Sequence, residues 1–299
     1  MLAMYIKNIT VEKEGLSDIL LLCVAAIWGI NFVAIKFLLT EISPVNLILF
    51  RFIAGSIFLF FLLLFIEDVK IPLKDFLHLC LLGAIGITIY QFFFTYALKY
   101  TSVTNVSIII NTSPLYGGIL ASLFGFEKFQ PKRLFAIITG FFGVYILITK
   151  GSFLLEGGDT TGNTLAILSS IFWALYTILS KPLLDKHSPL KVTTYSMLSG
   201  AALLCPFIPF YLDLEEYGAL SLTGWACLLY AVIFSIVIAF FLWYRGVSRI
   251  GASRTMIYQY SVPVFAALSA YLLLDEKLYV SQLIGAGVIF FSITLARRK

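Results

Sequence analysis

Aromatic and amide side chains recur inside the long apolar stretches of this sequence, where they suit a binding site better than a catalytic one. Indole and phenol rings hold apolar or flat groups, and buried amides need partners because an unpaired polar group costs about 1–3 kcal/mol. The set predicted to line a substrate-binding cavity comprises Trp28, Asn31, Tyr90, Gln91, Phe94, Asn105, Asn111, Tyr116, Trp173, Tyr176, Trp243, Tyr244, Tyr258 and Gln259. The competing interpretation is that these side chains join neighbouring helices.

Acidic side chains are missing from the middle of the apolar stretches. Proton-coupled transporters and exporters of hydrophobic cations commonly use a buried carboxylate, so a small four-helix multidrug antiporter is disfavoured. A membrane enzyme of the lipid-transferase type would need clustered Asp or Glu with a metal ion. His78 and His187 stand alone in the sequence. We therefore expect no catalytic residue, no metal and no cofactor.

Arg51 is the charged residue with the clearest alternative roles. It follows Pro44 by seven residues, or about 10 Å along a helix that rises ~1.5 Å per residue. A charge at that depth costs roughly 2–3 kcal/mol unless it is paired or hydrated. One interpretation is an anion or carboxylate contact near the outer end of a cavity. The other is that Arg51 reaches outward or binds carbonyl groups and Glu41.

Transmembrane helices must position these side chains. Of 299 residues 60% are hydrophobic and 12% charged, with a mean hydropathy of +0.97, whereas a soluble domain carries roughly 25% charged residues. About 20 apolar residues cross the ~30 Å hydrocarbon layer as a helix. This window predicts spans at 18–38, 45–66, 75–97, 103–125, 131–150, 162–183, 190–211, 221–244, 251–273 and 279–296.

Basic residues predict the orientation of these ten spans. Sixteen of the 21 Lys and Arg residues fall on the side that holds both termini. Loops rich in Lys and Arg stay in the cytoplasm, so we expect a multi-pass protein of the cytoplasmic membrane with both termini inside. Lys36 and Lys181, close to helix ends, are predicted to anchor the chain at the membrane surface. The net charge of +5 thus reflects orientation rather than a nucleic-acid partner.

The sequence contains an internal repeat. A slide of 145 positions pairs Trp28 with Trp173, and a slide of 149 pairs Pro114 with Pro263. Each copy holds five spans, an odd number, so the second copy enters the membrane upside down, as in many secondary transporters. The two prolines would kink their helices and are candidate hinges. The predicted divisions are a cytoplasmic N-terminal segment 1–17, repeats 18–150 and 162–299, and a linker 151–161.

The repeated motifs resemble a known family. WGINFVAIK in the first span, KYTSVTNVSIIINTSPLYGGILASLFGFEK and its counterpart SRIGASRTMIYQYSVPVFAALSAYLLLDEK are similar to the EamA-type drug/metabolite transporter superfamily. The resemblance implies a ten-helix basket whose central cavity is lined by helices 1, 3, 4, 6, 8 and 9. It also implies a cargo among amino acids, nucleotide-sugars, choline-like cations and other metabolites.

The sequence as a whole predicts an all-α integral membrane protein of ten transmembrane helices, arranged as two inverted five-helix repeats around a central cavity. We expect a secondary transporter that exports or exchanges an amino acid or related zwitterion by alternating access. The alternatives are uptake of a choline-like quaternary amine, held by cation–π attraction, and a receptor or scaffold without flux. The expected partners are the small-molecule substrate and membrane lipid, without nucleic acid, for a chain that is a monomer or weak homodimer.

Overall fold

The computed structural model describes residues 2–101, 103–151, 159–274 and 277–297. These residues form helices joined by short loops, and none of them lies in a β-strand. The helices, numbered in chain order, are α1 (Leu2–Leu38), α2 (Pro44–Ile66), α3 (Leu73–Gly83, Ala84–Ile89 and Tyr90–Tyr100), α4 (Val103–Ile110 and Ser113–Leu123), α5 (Pro131–Ile148), α6 (Thr160–Leu179 and Lys181–Leu184), α7 (Pro189–Leu204, Cys205–Phe207 and Ile208–Tyr211), α8 (Leu222–Tyr230, Ala231–Ile238 and Ala239–Ile250), α9 (Ala252–Ile257, Tyr258–Ser261 and Val262–Leu274) and α10 (Val280–Arg297). A short helix, Leu214–Gly218, lies in the connection between α7 and α8.

Nine helices of the described ranges are long and apolar enough to cross a membrane. They are Gly15–Ile35, Pro44–Ile66, Leu73–Ala97, Asn105–Leu123, Pro131–Ile148, Thr160–Leu184, Pro189–Tyr211, Leu222–Ile250 and Val280–Arg297. Each coincides with a predicted span to within a few residues at most boundaries. The all-helical membrane fold predicted from hydropathy is confirmed.

The predicted span 251–273 is the exception among the ten. It corresponds to α9, which changes from α-helix to 3-10 helix at Tyr258–Ser261, and it is not one of the nine apolar helices. All four residues of the 3-10 stretch are buried. A helix whose polar part faces protein needs no lipid-compatible surface there. The polar part of α9 therefore lies against protein rather than lipid.

The start of α6 differs from the predicted linker boundary. Asp159 caps the helix because its side chain accepts a hydrogen bond of 2.9 Å from the backbone N–H of Thr161. The helix therefore begins at Thr160, inside the range 151–161 that was predicted as linker. The remainder of that prediction, residues 152–158, lies outside the described residues.

The two halves make equivalent contacts across the bundle. A Cβ atom on Gly55 of α2 would lie 2.7 Å from Cγ2 of Ile236 on α8. In the other half, a Cβ atom on Gly200 of α7 would lie 2.4 Å from Cβ of Ile87 on α3. The slides of 145 and 149 relate Gly55 to Gly200 and Ile87 to Ile236. The inverted repeat read from the sequence is therefore expressed as a pseudo-two-fold arrangement of close helix contacts.

Two polar groups define the ends of the bundle. At one end, here called the Asp18 end, Asp18 lies near the start of the apolar part of α1, Gly15–Ile35. It forms an ion pair of 2.5 Å with Arg297, the last residue of α10. At the other, here called the Glu216 end, Glu216 accepts a hydrogen bond of 2.8 Å from the backbone N–H of Ser43, just before α2. Helix α1 runs from the Asp18 end to the Glu216 end, and α2 runs back.

Candidate functional site

Two equivalent tryptophans of the inverted halves meet inside the bundle. Trp28 on α1 and Trp173 on α6 have ring centroids 5.6 Å apart in an edge-on arrangement. Trp243 on α8 contacts both, with its centroid 5.2 Å from that of Trp28 and 5.7 Å from that of Trp173. Phe240, one turn from Trp243, is edge-on to Trp28 and Trp173. These contacts lie on the interface between the two halves.

Tyrosines from three helices extend this group. The Tyr90 centroid lies 5.3 Å from that of Trp173, and Phe94 stacks on Tyr90 at 6.0 Å. Tyr176 lies 5.7 Å from Trp173 and 5.4 Å from Tyr244. We call the whole set the aromatic cluster: Trp28, Tyr90, Phe94, Trp173, Tyr176, Phe240, Trp243 and Tyr244. The family resemblance assigns six helices to the cavity. Four of them, α1, α3, α6 and α8, supply the rings of the aromatic cluster.

The aromatic cluster has a buried side and a more open side. Trp173, Trp243 and Tyr244 are 4%, 1% and 0% exposed. Trp28 and Tyr90 are only half-buried. A ligand would therefore meet the cluster first at Trp28 and Tyr90.

Gln259 links the cluster to α4 and α9. Its side-chain oxygen accepts a hydrogen bond of 2.8 Å from Nε1 of Trp173 and one of 3.1 Å from the hydroxyl of Ser113. All three side chains are buried. One amide oxygen thus fixes the orientation of the Trp173 ring while joining α4, α6 and α9.

The other two indole N–H groups of the cluster are also bonded. Nε1 of Trp243 donates to the Thr177 hydroxyl at 3.3 Å, and Nε1 of Trp28 donates to the carbonyl oxygen of Ser235 at 3.1 Å. Ser235 lies in the π-helical part of α8, a geometry often found at functional sites. Since these donors are occupied, the ring faces and edges are what the tryptophans present to a ligand.

Arg51 is buried close to the cluster without an acidic partner among the described residues. It is 7% exposed, and its Nε has no hydrogen-bond partner in the described part of the chain. It lies near enough to Tyr90 for the two groups to interact electrostatically. Glu41, the acid considered as its partner, instead accepts hydrogen bonds of 2.7 and 3.1 Å from the hydroxyl and backbone N–H of Ser221.

Two predicted amides are buried on the helices that carry Trp28 and Tyr90. Asn31 is 8% exposed, and its side-chain oxygen has no hydrogen-bond partner among the described residues. Gln91 is 7% exposed and adjoins Tyr90 in sequence. Asn31 follows Trp28 by one helical turn and therefore lies on the same face of α1.

Three predicted residues on α4 have mainly structural contacts. Asn105 donates to the Thr101 hydroxyl at 3.3 Å, and Asn111 donates to the Ser107 carbonyl oxygen at 2.8 Å. Tyr116 is half-buried against the hydrophobic core. Both bonds are to residues four positions earlier in the chain, so neither amide is seen to join two distant helices through them.

Tyr258 is directed to the Asp18 end rather than into ring contact with the cluster. Its hydroxyl donates a hydrogen bond to Asp18, which also pairs with Arg297. Asp18 is 7% exposed. The three side chains tie α1, α9 and α10 together, so Tyr258 contributes to closing that end of the bundle.

The two candidate hinge prolines each follow a break in helix geometry. The α-helical pattern of α4 stops after Ile110 and resumes next to Pro114. A proline cannot donate to the carbonyl four residues earlier, and the Ile110 carbonyl oxygen instead accepts from the Ser170 hydroxyl at 3.2 Å. In α9 the 3-10 stretch Tyr258–Ser261 immediately precedes the turn that holds Pro263.

A carboxylate fastens the loop at the Glu216 end. Glu216 accepts from the Ser43 backbone N–H and, at 2.9 Å, from the Asn46 side chain. Burial favours its protonated form, but the hydrogen bonds from Ser43 and Asn46 together hold the pKa of Glu216 below its usual value. The adjacent Tyr217 hydroxyl donates to the Asn46 carbonyl oxygen at 2.8 Å. Burial and the nearby Glu216 charge raise the pKa of Tyr217 to about 12.

The Asp18 end carries the counterpart of this contact. Glu67 accepts a hydrogen bond from the Ser188 hydroxyl. The slide of 149 relates Glu67 to Glu216, and the slide of 145 relates Ser43 to Ser188. Both ends are therefore held by an equivalent glutamate–serine contact.

Metal-ligating side chains do not gather in the part of the chain that the structure describes. No three His, Cys, Asp or Glu residues there are placed to hold a metal ion together. The cysteines Cys23, Cys80, Cys205 and Cys227 are free thiols. Lys181, predicted to be an anchor, forms an ion pair with Asp185 one turn later.

Sequence reasoning missed Ser113, Ser196 and Asp18. Ser113 bonds Gln259, Ser196 bonds the Tyr176 hydroxyl at 3.2 Å, and Asp18 bonds Tyr258. The repeat contains a signal for Ser196, which the slide of 145 pairs with Arg51. For the other two, the partner depends on how each helix is rotated, which composition does not reveal.

Comparison with known proteins places the chain among transporters. The sequence profile described as the EamA-like transporter family matches residues 15–149 and 160–298. An uncharacterised transporter of Archaeoglobus fulgidus is 30% identical over 294 residues, covering 95% of this chain and 98% of the relative. An Escherichia coli protein described as a probable amino-acid metabolite efflux pump is 28% identical over 294 residues, covering 93% of this chain and 92% of its own.

The fold is also found in a solved structure. One crystal structure matches with a TM-score of 0.79 at 17% sequence identity, covering 95% of this chain and 96% of the other. The profile match covers both halves, and the similarity to the relatives extends over nearly the whole chain. This multi-pass membrane protein therefore belongs to the EamA-like transporter family.

Proposed function

We propose that this protein exports or exchanges an amino acid or a related zwitterion across the cytoplasmic membrane by alternating access. The observation that carries the proposal is the contact between Trp28 and Trp173, whose ring centroids lie 5.6 Å apart across the two inverted halves. When inverted halves rock against each other, their interface is where a site opens first to one side and then to the other. A substrate at this contact meets both halves at once.

The chemistry of the aromatic cluster favours an apolar side chain on the substrate. Its three indole N–H groups are bonded within the protein, so the rings offer mainly apolar surface. Arg51 adds a buried positive charge beside this surface. An apolar amino acid combines the two requirements, and the description of the E. coli relative supports the same substrate class.

The placement of acidic residues supports exchange or facilitated transport. Asp18 and Asp75 are buried, but both lie at the Asp18 end. Asp18 pairs with Arg297, and Asp75 pairs with Lys186 at 3.0 Å. A carboxylate held in an ion pair at one end is poorly placed to carry a proton through the bundle.

Flux through proteoliposomes tests the proposal. Purified protein is reconstituted and preloaded with unlabelled amino acids, and entry of labelled leucine, phenylalanine, glutamate, lysine or choline is followed. We expect saturable counterflow of a neutral apolar amino acid. Saturable choline flux without movement of any amino acid would establish the quaternary-amine alternative instead, and binding without flux of any of these compounds would indicate a receptor.

A further inference from the structure

Two buried polar groups next to the aromatic cluster have atoms without partners among the described residues. These atoms are Nε of Arg51 and the side-chain oxygen of Asn31. Arg51 is 7% exposed and Asn31 is 8% exposed. Leaving a buried donor or acceptor unbonded is unfavourable, and such groups commonly await a ligand or water.

The packing of α8 brings these two groups to the same level of the bundle. The Ser235 carbonyl oxygen bonds Trp28 of α1, and the adjoining Ile236 contacts Gly55 of α2. Asn31 lies one turn beyond Trp28, and Arg51 lies one turn before Gly55. Because α1 and α2 are antiparallel, both displacements point toward the Glu216 end. Asn31 and Arg51 therefore lie at the same level of the bundle, just beyond the aromatic cluster on the side of the Glu216 end.

The opposite half shows how the equivalent pair is arranged. The slide of 145 relates Asn31 to Tyr176 and Arg51 to Ser196. Tyr176 and Ser196 are hydrogen-bonded, with oxygens 3.2 Å apart. In the first half the large phenol ring is replaced by a short amide and the small serine by an arginine. The pair that is hydrogen-bonded in one half thus has a charge and atoms without partners among the described residues in the other.

Tyr90 connects this pair to the rings of the cluster. It lies near Arg51, and its ring centroid lies 5.3 Å from that of Trp173. A ligand bound between Asn31 and Arg51 consequently has aromatic surface within reach of its side chain.

We propose that Arg51 and Asn31 form the head-group subsite for an α-amino acid, an inference that rests on the proposed function. Arg51 binds the carboxylate through Nε and a terminal guanidinium nitrogen, the side-on geometry in which an arginine donates two parallel hydrogen bonds. The Asn31 side-chain oxygen accepts a hydrogen bond from the ammonium group. The apolar side chain lies against the aromatic cluster. A quaternary amine has no N–H to donate and no carboxylate, so this subsite selects against it.

Discrimination between an acid and its amide tests the subsite. Competition of counterflow by phenylalanine and by phenylalaninamide is measured for the reconstituted wild type, Arg51→Gln and Asn31→Leu. We expect the wild type to prefer the acid by about 10- to 100-fold, as the loss of charge-assisted hydrogen bonds implies. Arg51→Gln should remove that preference. Asn31→Leu should weaken the binding of both compounds to the same extent, because both carry the ammonium group. The exposed Arg249 provides the matched control, and Arg249→Gln should retain the wild-type ratio.

The outcomes separate this inference from the proposed function. If the wild type moves phenylalanine and Arg51→Gln keeps its preference for the acid, the subsite is wrong while the transport proposal stands. If the folded wild type moves no amino acid, the transport proposal itself fails. Should Arg51→Gln not fold, Arg51→Lys decides, because lysine keeps the charge but cannot donate side-on. An unchanged acid preference in Arg51→Lys would then overturn the inference.

Discussion

Replacing Gln259 by leucine should destabilise the protein through two specific lost bonds. The substitution leaves Nε1 of Trp173 and the Ser113 hydroxyl without their acceptor. Both groups are buried, at 4% and 0% exposure. At about 1–3 kcal/mol for each of the two buried groups left unbonded, the expected loss of unfolding free energy is roughly 2–6 kcal/mol. The Trp173 ring, no longer held by its N–H, should also contribute a broadened fluorescence emission.

The matched control is the same substitution at Gln282. Its side-chain oxygen accepts one hydrogen bond of 3.0 Å, from the Tyr279 backbone N–H at the start of α10. Tyr279 is exposed, so water can replace the lost acceptor, and we expect a loss of about 0.5–1 kcal/mol. Thermal unfolding of both variants in detergent measures the difference. Equal melting temperatures for Gln259→Leu and Gln282→Leu would refute the reasoning.

Further substitutions test the contacts at the two ends of the bundle, the aromatic cluster and the close approach of the helices. Glu216→Gln should lower the melting temperature at neutral pH. The difference from wild type should shrink as pH falls below the usual glutamate pKa of 4.5, and it should be lost once pH has fallen through the lowered folded-state pKa, because the protonated carboxyl no longer contributes this stability. A difference that stays constant from pH 7 to pH 3 would contradict this. Trp173→Ala and Tyr258→Ala should each reduce counterflow more than they reduce the yield of folded protein, the first by removing a ring between the halves and the second by loosening the Asp18 end. Normal flux in Trp173→Ala would move the substrate site elsewhere, and normal flux in Tyr258→Ala would show that the Asp18 contact is not needed for transport. Gly200→Ala should cost about 1–3 kcal/mol, since its Cβ would lie 2.4 Å from a side chain of α3, whereas Gly287→Ala, with nothing within 4 Å, should be tolerated.

Hydropathy and charge predicted most of the fold because lipid imposes a simple length rule. The second span was expected at 45–66 and is found at Pro44–Ile66. The rule does not show how α9 is built, because its polar Tyr258–Ser261 stretch is enclosed by protein and not constrained by lipid. The π-helical parts, Ala84–Ile89 and Ala231–Ile238, have no signature in their apolar sequences. They lie at positions related by the repeat to within a few residues, so only comparison of the halves could have indicated them.

The candidate site was less accessible from sequence because side-chain partners depend on helix rotation. The depth of Trp28 and Trp173 in their spans indicated an interior position, and the repeat related the two residues, but neither observation predicts that their rings touch. The sequence predicted both Tyr258 and its neighbour Gln259 to line the cavity, with nothing to distinguish them. Adjacent residues on a 3-10 helix, with three residues per turn, point in directions about 120° apart, and here one side chain bonds Asp18 while the other bonds Trp173.

Photo-crosslinking tests most directly whether the substrate binds between the halves at the aromatic cluster. Reconstituted protein is irradiated with a diazirine analogue of leucine, with and without excess unlabelled leucine or phenylalanine, and the adducts are mapped by mass spectrometry. We predict adducts suppressed by the unlabelled amino acids on peptides that contain Trp28, Trp173 or Trp243. Suppressible adducts confined to peptides outside α1, α3, α6 and α8, or no suppressible adduct on protein that transports leucine, would contradict the account.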